Sequence, residues 1–201
     1  MSKLKIQSSE LSQMTLLLLS DCDFCKTKFE ELKKRDSVYR RLYIRTLFTL
    51  IEGVSHRLRQ IILAMHEERR IRLTPSEYML LTETVVTLDN QGKIDEREAT
   101  QPFVKMLKFT LKILGKHTKQ VAKVNRLLSD AEFKKIIDAV KVRNRLTHPK
   151  KLEDLYVAWG EFQDGIDAQK WFENCLSTLL VETFDKINKT KRNVAEFTPN
   201  A

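Results

Sequence analysis

Hydrophobic residues in this chain recur at steps of three and four over most of its length, the spacing that places them on one face of a helix. The longest such pattern spans 38–70. Leu42, Leu47, Leu50, Ile51, Val54, Leu58, Ile61, Ile62 and Met65 fall on its apolar side. Gly53, inside that pattern, marks a close approach or a kink. Residues 10–35 predict one or two short helices of mixed charge. Thr74-Pro75-Ser76-Glu77 predicts a helix start, with Thr74 as cap, Pro75 in the first turn and Glu77 closing a capping box. That helix is expected to run to about Leu88 and to stop at Asp89-Asn90-Gln91-Gly92.

Residues 101–127 carry the sharpest two-sided pattern. At 100° per residue, Lys105, Lys108, Lys112, Lys116, Lys119 and Lys123 fall within an arc of about 80°. Phe103, Leu107, Leu111, Leu114, Val121 and Leu128 fall opposite, and no acidic residue interrupts 105–128. A break at Gly115 would split the lysine stripe in two. Ser129-Asp130-Ala131-Glu132 predicts a second capping box. The helix it opens presents Phe133, Ile136, Ile137 and Val140, and ends near His148 because Pro149 disfavours helical geometry there. A last long helix is expected from about Asp167 past Phe184, with a basic, fraying tail at 188–201.

No stretch alternates as a half-buried strand does. The fold class is therefore all-α: a helical bundle with long antiparallel helices, packed on apolar stripes. Residues 1–37 read as an N-terminal helical extension and 38–187 as the bundle.

Charge adds a direction to this picture. The 201 residues carry a net charge of +9, and a surface of that sign attracts polyanions, nucleic acid first among them. The apolar run Met14-Thr15-Leu16-Leu17-Leu18-Leu19 is too short to span a bilayer, which needs about 20 residues. Asp21, Cys22 and Asp23 follow it directly, so it also lacks signal-peptide flanks. The reading is a cytoplasmic protein with no membrane partner. Cys22 and Cys25 form a single CxxC with no second pair to complete four zinc ligands, so they and Cys175 read as free thiols, and no metal or cofactor is implied.

The chemistry concentrates in Val142-Arg143-Asn144-Arg145-Leu146-Thr147-His148-Pro149. This segment puts one His, one Asn and two Arg at a helix end. His transfers protons near neutral pH, Arg suits phosphate oxygens, and Asn144 can orient either partner by hydrogen bonding. Those parts suffice for RNA cleavage, with His moving a proton and Arg stabilising the charge that develops on phosphorus. The same residues also suit a plainer role, since cations are stabilised at helix C-termini. Arg59 and His66 make a similar Arg-to-His pair with a wider spacing, but inside a long helix and without the Asn.

The segment resembles the Arg-x(4–6)-His signature of the HEPN ribonucleases, in the form with a polar residue after the Arg. The resemblance implies an all-helical, HEPN-like bundle, usually a homodimer, with a composite active site drawn from two protomers and a cut that needs no metal. It also implies a bacterial toxin or phage-defence role with an antitoxin or defence-complex partner. Members often place an acidic residue on the first long helix facing the motif, which makes Glu52 the candidate here. Some members carry a Tyr two residues after the His. Lys150 stands at that position, which argues against modification by a partner nucleotidyltransferase.

The expected catalytic set is thus Arg143, Asn144, His148 and Glu52. Arg145, Lys150 and the lysines 105, 108, 112, 116, 119 and 123 are the expected RNA contacts. Two other readings fit the same sequence: a non-catalytic helical module that binds nucleic acid or a partner protein, and a subunit of a larger complex docked through the leucine-rich N-terminal segment.

Overall fold

A computed structural model of the chain describes residues 2–32, 37–88 and 90–195, with side chains through Leu180. Among the described residues, seven α-helices, one short 3-10 helix (Leu152–Leu155) and one small hairpin make up the regular elements. The helices are α1 (Lys3–Glu31), α2 (Ser37–Glu67), α3 (Pro75–Leu81), α4 (Phe103–Thr118), α5 (Val121–Ser129), α6 (Ala131–Thr147) and α7 (Trp159–Ala195). The hairpin pairs β1 (Thr84–Leu88) with β2 (Ile94–Glu98), antiparallel, with Thr84 opposite Glu98 and Leu88 opposite Ile94. No helix among the described residues is long and apolar enough to cross a membrane.

α2 is the axis of the bundle. It buries Leu47, Leu50, Ile51, Val54, Leu58, Ile61, Ile62 and Met65, as its periodicity predicts, whereas Leu42 lies on the exposed side. α1 packs along it as one 29-residue helix rather than two short ones. No Gly or Pro interrupts residues 2–32. The Leu16–Leu19 run spreads apolar groups around the whole helix, which hides the period. Leu4, Leu11, Cys22, Cys25 and Phe29 carry α1 into the same core as the rest of the bundle. Gly53 is a close approach and not a kink, because a Cβ there would meet Met14 Cε at 3.5 Å.

Several boundaries differ from the sequence reading. The capping box at Thr74 forms as predicted, with Glu77 N donating to Thr74 Oγ1 (3.2 Å) and Thr74 N donating to Glu77 Oε2 (2.9 Å). The helix it opens stops at Leu81, not Leu88. Thr84-Val85-Val86-Thr87 is a β-branched run that disfavours helix and suits a strand. Gly92, at φ 73, is in the turn joining the strands. The expected stop at Asp89 lies outside the described residues. At the start of α6 the cap is Asp130, one residue past the Ser129 of the expected box, accepting from Glu132 N at 3.2 Å.

α7 begins at Trp159 rather than Asp167. Gly165 does not break it but seats it against α2, since a Cβ there would lie 2.7 Å from Ile44 Cδ1. The helix continues through Ala195, over part of the expected tail. Residues 196–201 lie outside the described residues.

Candidate functional site

Helix α6 ends where Pro149 requires. Thr147 is its last residue, and His148 leaves helical geometry at φ −127, ψ 62 while its amide still donates to Asn144 O at 3.0 Å. Arg45 of α2 donates to Leu146 O at 3.0 Å, placing a cation on the last-turn carbonyls. The motif is therefore held at a capped helix end, against the middle of α2.

Three of the four expected catalytic residues meet there. Arg143 Nη2 pairs with Glu52 Oε1, and Arg143 Nη1 donates to Asn144 Oδ1 at 2.8 Å. The guanidinium also lies over the Phe48 ring, 5.6 Å from its centroid. Burial pulls the Arg143 guanidinium below its ordinary value, and the Glu52 carboxylate supplies the counter-charge. His148, the fourth, is exposed. Its imidazole makes no hydrogen bond to the described residues and does not line the cleft that Glu52 and Arg143 line.

Glu52 and Arg143 line a cleft of about 350 Å³ together with Ser55, Arg59, Glu83, Thr100, Gln101 and Phe103. Arg59 pairs with Glu83 at 3.2 Å and donates to His56 Nδ1 at 3.2 Å. Burial and the Arg59 charge both lower the pKa of His56, which favours its neutral form. Glu83 has a left-handed backbone, φ 53, that turns the chain from α3 into β1. Ala99 N closes the hairpin base on Glu83 O at 2.7 Å. The cleft thus holds two Arg–Glu pairs.

Sequence reasoning missed Arg59, Glu83 and Gln101 as cleft residues. One signal was available for Arg59. Arg45, Glu52, Arg59 and His66 follow one another at seven-residue steps, which place them within about 60° of one another on α2. This polar seam faces α6, the hairpin and α3 in turn.

Arg145 takes a structural place. It makes a bidentate pair with Glu161 (2.9 Å at both oxygens) and also donates to Asp154 O (3.1 Å) and Tyr156 O (2.6 Å). Four of its five N–H donors are thereby used on protein. These bonds compete with the RNA contact expected of Arg145. Lys150 is exposed in the following loop, where its amide donates to Asp154 Oδ2 at 2.8 Å.

The lysine stripe does split, but not at Gly115. Gly115 is buried inside α4, and the break falls at Lys119, which caps α4 in the left-handed conformation. α5 then folds back onto α4, and Lys123 belongs to this second helix. Val121, expected on the apolar side, is exposed instead. Lys116 pairs with Glu77 of α3 at 2.6 Å, and Lys108 lies over the Phe133 ring at 5.0 Å. Lys105, Lys112 and Lys119 are exposed and have no acidic partner among the described residues.

The three cysteines are free and buried. Cys22 and Cys25 share one face of α1, and no group of three or more His, Cys, Asp or Glu among the described residues is arranged to hold a metal. Compared with known proteins, the chain matches no family model, no curated protein and no solved structure.

Proposed function

We propose that the chain is an endoribonuclease of HEPN type that cleaves RNA without a metal through a site shared between two copies. The observation that carries this reading is the Glu52–Arg143 pair lining a cleft, with Asn144 bonded to Arg143, on the helix that ends at the exposed His148. In the proposed reaction the ribose 2′-oxygen attacks the adjacent phosphorus. The O2′–P bond forms and the P–O5′ bond breaks, leaving a 2′,3′-cyclic phosphate and a 5′-hydroxyl. His148 moves the proton from the 2′-hydroxyl or to the departing 5′-oxygen. Arg143 stabilises charge on the phosphoryl oxygens, Asn144 orients it, and Glu52 holds the guanidinium in place.

A composite site accounts for the absence of His148 from the cleft lined by Glu52 and Arg143, because a second protomer brings a second motif to the same strand. A cytoplasmic toxin or defence effector with a neutralising partner protein is the setting the resemblance implies. The test is cleavage of single-stranded RNA by the purified protein, with His148→Ala and Arg143→Ala as variants and product ends read as cyclic phosphate. Cleavage at the parent rate by both folded variants would sink the reading.

A non-catalytic nucleic-acid module is the second reading. Lys105, Lys112 and Lys119, exposed and without an acidic partner among the described residues, favour it. It predicts that Lys105→Glu with Lys112→Glu abolishes binding while His148→Ala leaves function intact.

A further inference from the structure

A second groove, roomier than the cleft at the motif, lies away from it. It lies at the far end of the α2 seam, has a volume of about 690 Å³, and is lined by His66, Arg72, Leu73, Thr74, Tyr78 and Met79, with Pro75 beside them. Its walls combine an apolar floor, a half-exposed aromatic ring and an arginine. We propose that this groove binds a nucleotide, with the base stacked on Tyr78 and the phosphate on Arg72.

Charge sets the ligand's sign. The carboxylates around the groove are already matched: Glu67 by Lys3 (2.7 Å), Glu68 by Arg70 (3.1 Å) and Glu77 by Lys116 (2.6 Å). Arg69 and Arg72 are exposed and pair with none of the described residues. Arg45, Arg59, Arg143 and Arg145, by contrast, are each bonded to a protein carboxylate or carbonyl. Of the two, Arg72 lines the groove, and an unpaired guanidinium there suits a phosphate.

Ring chemistry sets the rest. Tyr78 keeps 39% of its surface exposed, and its ring lies 5.8 Å from that of His66. Leu73 N donates to His66 Nδ1 at 3.3 Å. That bond makes Nδ1 the acceptor, so the neutral ring carries its proton on Nε2 and offers a donor. An aromatic face, a fixed imidazole donor and a free arginine are what an unpaired base with its phosphate requires.

The groove extends the ribonuclease reading by giving the same substrate class a second contact, and rests on that reading only for the source of the strand. Fourteen residues separate Glu52 from His66 on one side of α2, about 21 Å at 1.5 Å per residue. A strand of several nucleotides lying along the seam would reach both.

The test uses the full chain and a fluorescent 2′-O-methyl oligoadenylate of ten nucleotides, which cannot be cut because its 2′-oxygens carry no proton. Adenosine 5′-monophosphate serves as competitor, and circular dichroism checks each variant's fold. Tyr78→Ala is expected to weaken binding about fivefold or more, as loss of one stacked base does. Tyr78→Phe keeps affinity within about twofold by the same argument. Arg72→Ala lowers the slope of log affinity against log salt by about 0.7, one phosphate contact on a single strand.

Displacement by the mononucleotide with the same Tyr78 dependence, when the oligonucleotide binds poorly, identifies a free nucleotide as the occupant. If neither probe binds the parent, or folded Tyr78→Ala and Arg72→Glu bind as the parent does, the proposal is overturned. Absence of cleavage by the parent sinks the catalytic reading alone, because the probe is uncleavable.

Discussion

Glu52 of α2 and Arg143 of α6 face each other across the line where the two helices pack, and each helps to fix the other's side chain. Arg143 is further held by Asn144 and by the Phe48 ring. A guanidinium so restrained loses little freedom when it meets a phosphate. The contact is only partly enclosed, so its worth to stability is about 1 kcal/mol at most. Glu52→Gln is therefore expected to shift the thermal midpoint slightly. If Arg143 acts on phosphate, Arg143→Ala lowers the cleavage rate by about 10²-fold or more, and Glu52→Gln lowers it less. Paired unfolding and cleavage measurements check this. A loss of stability in both variants with cleavage untouched would leave the pair a purely structural contact.

Arg145, two residues on, gives the opposite expectation. Its bonds to Glu161, Asp154 and Tyr156 tie the loop after His148 back to α6. Arg145→Ala leaves two carbonyls and a carboxylate short of a donor, a loss of about 1.5–3 kcal/mol. The salt dependence of RNA binding should stay at the parent slope, because no phosphate contact is removed. A lower slope in a protein of unchanged stability would instead indicate a phosphate contact at Arg145.

The same clamp sets an acid response. The Arg145 hydrogen bonds hold the Glu161 carboxyl below its ordinary value of 4.5, with the Ala158 amide adding to the effect. A carboxyl depressed in the folded state contributes stability that is fully present above its unfolded value and lost as pH falls through the folded one. The parent should therefore lose stability below about pH 4.5 more steeply than Glu161→Gln. Thermal midpoints of both proteins between about pH 6 and 3 give the comparison. Parallel curves would show that Glu161 does not carry this response.

The helices that were legible in the sequence are those whose burial has a period. α2 and α4 bury one face, so spacing alone finds them. The hairpin has no buried face: every residue of β2 is exposed, and pairing between strands is invisible to a one-dimensional pattern. Thr84-Val85-Val86-Thr87 did carry a signal against helix. At the site, the motif and Glu52 were legible because their chemistry is dense and the helix stop at Pro149 is local. Arg59 and Glu83 were not, because the turn at Glu83 brings a distant carboxylate to the α2 seam. The seven-residue step from Arg45 to His66 was readable, but only by attending to the polar side of a helix usually read for its apolar one.

Gly115 offers a packing prediction at the joint that divides the lysine stripe. A Cβ on this residue would lie 2.6 Å from Val124 Cγ2 and 3.3 Å from Val124 Cβ. Val is stiff at χ1 and cannot swing clear. Gly115→Ala gains about 1 kcal/mol of helix propensity against about 1–3 kcal/mol of overpacking, so the variant should be less stable than the parent. Gly115→Ala combined with Val124→Ala relieves the clash and should recover much of that loss only if the α4–α5 contact is its cause. A stabilised Gly115→Ala protein in chemical denaturation would mean that α5 does not fold back this closely.

The buried thiols report on whether α1 belongs to the same cooperative unit as the rest. Cys22 and Cys175 have no exposed surface, and burial pushes both up to about 12, while burial also raises Cys25. Thiolate is the reactive form, so at pH 8 a disulfide reagent should label none of the three in the folded protein and all three after denaturation. The order of labelling at intermediate denaturant carries the further information. Cys22 and Cys25 are on α1 and Cys175 is on α7. α1 buries Leu4, Leu11 and Phe29, and its first turn is tied to the end of α2 by Lys3–Glu67 and to the turn after it by Leu4 N donating to Glu68 Oε1 at 3.0 Å. Contacts at both ends of the helix favour a single transition, with all three thiols reacting together at the rate of global unfolding. Two thiols reacting well before the third, mapped by mass to Cys22 and Cys25, would instead show that α1 detaches as a separable extension while the bundle stays folded.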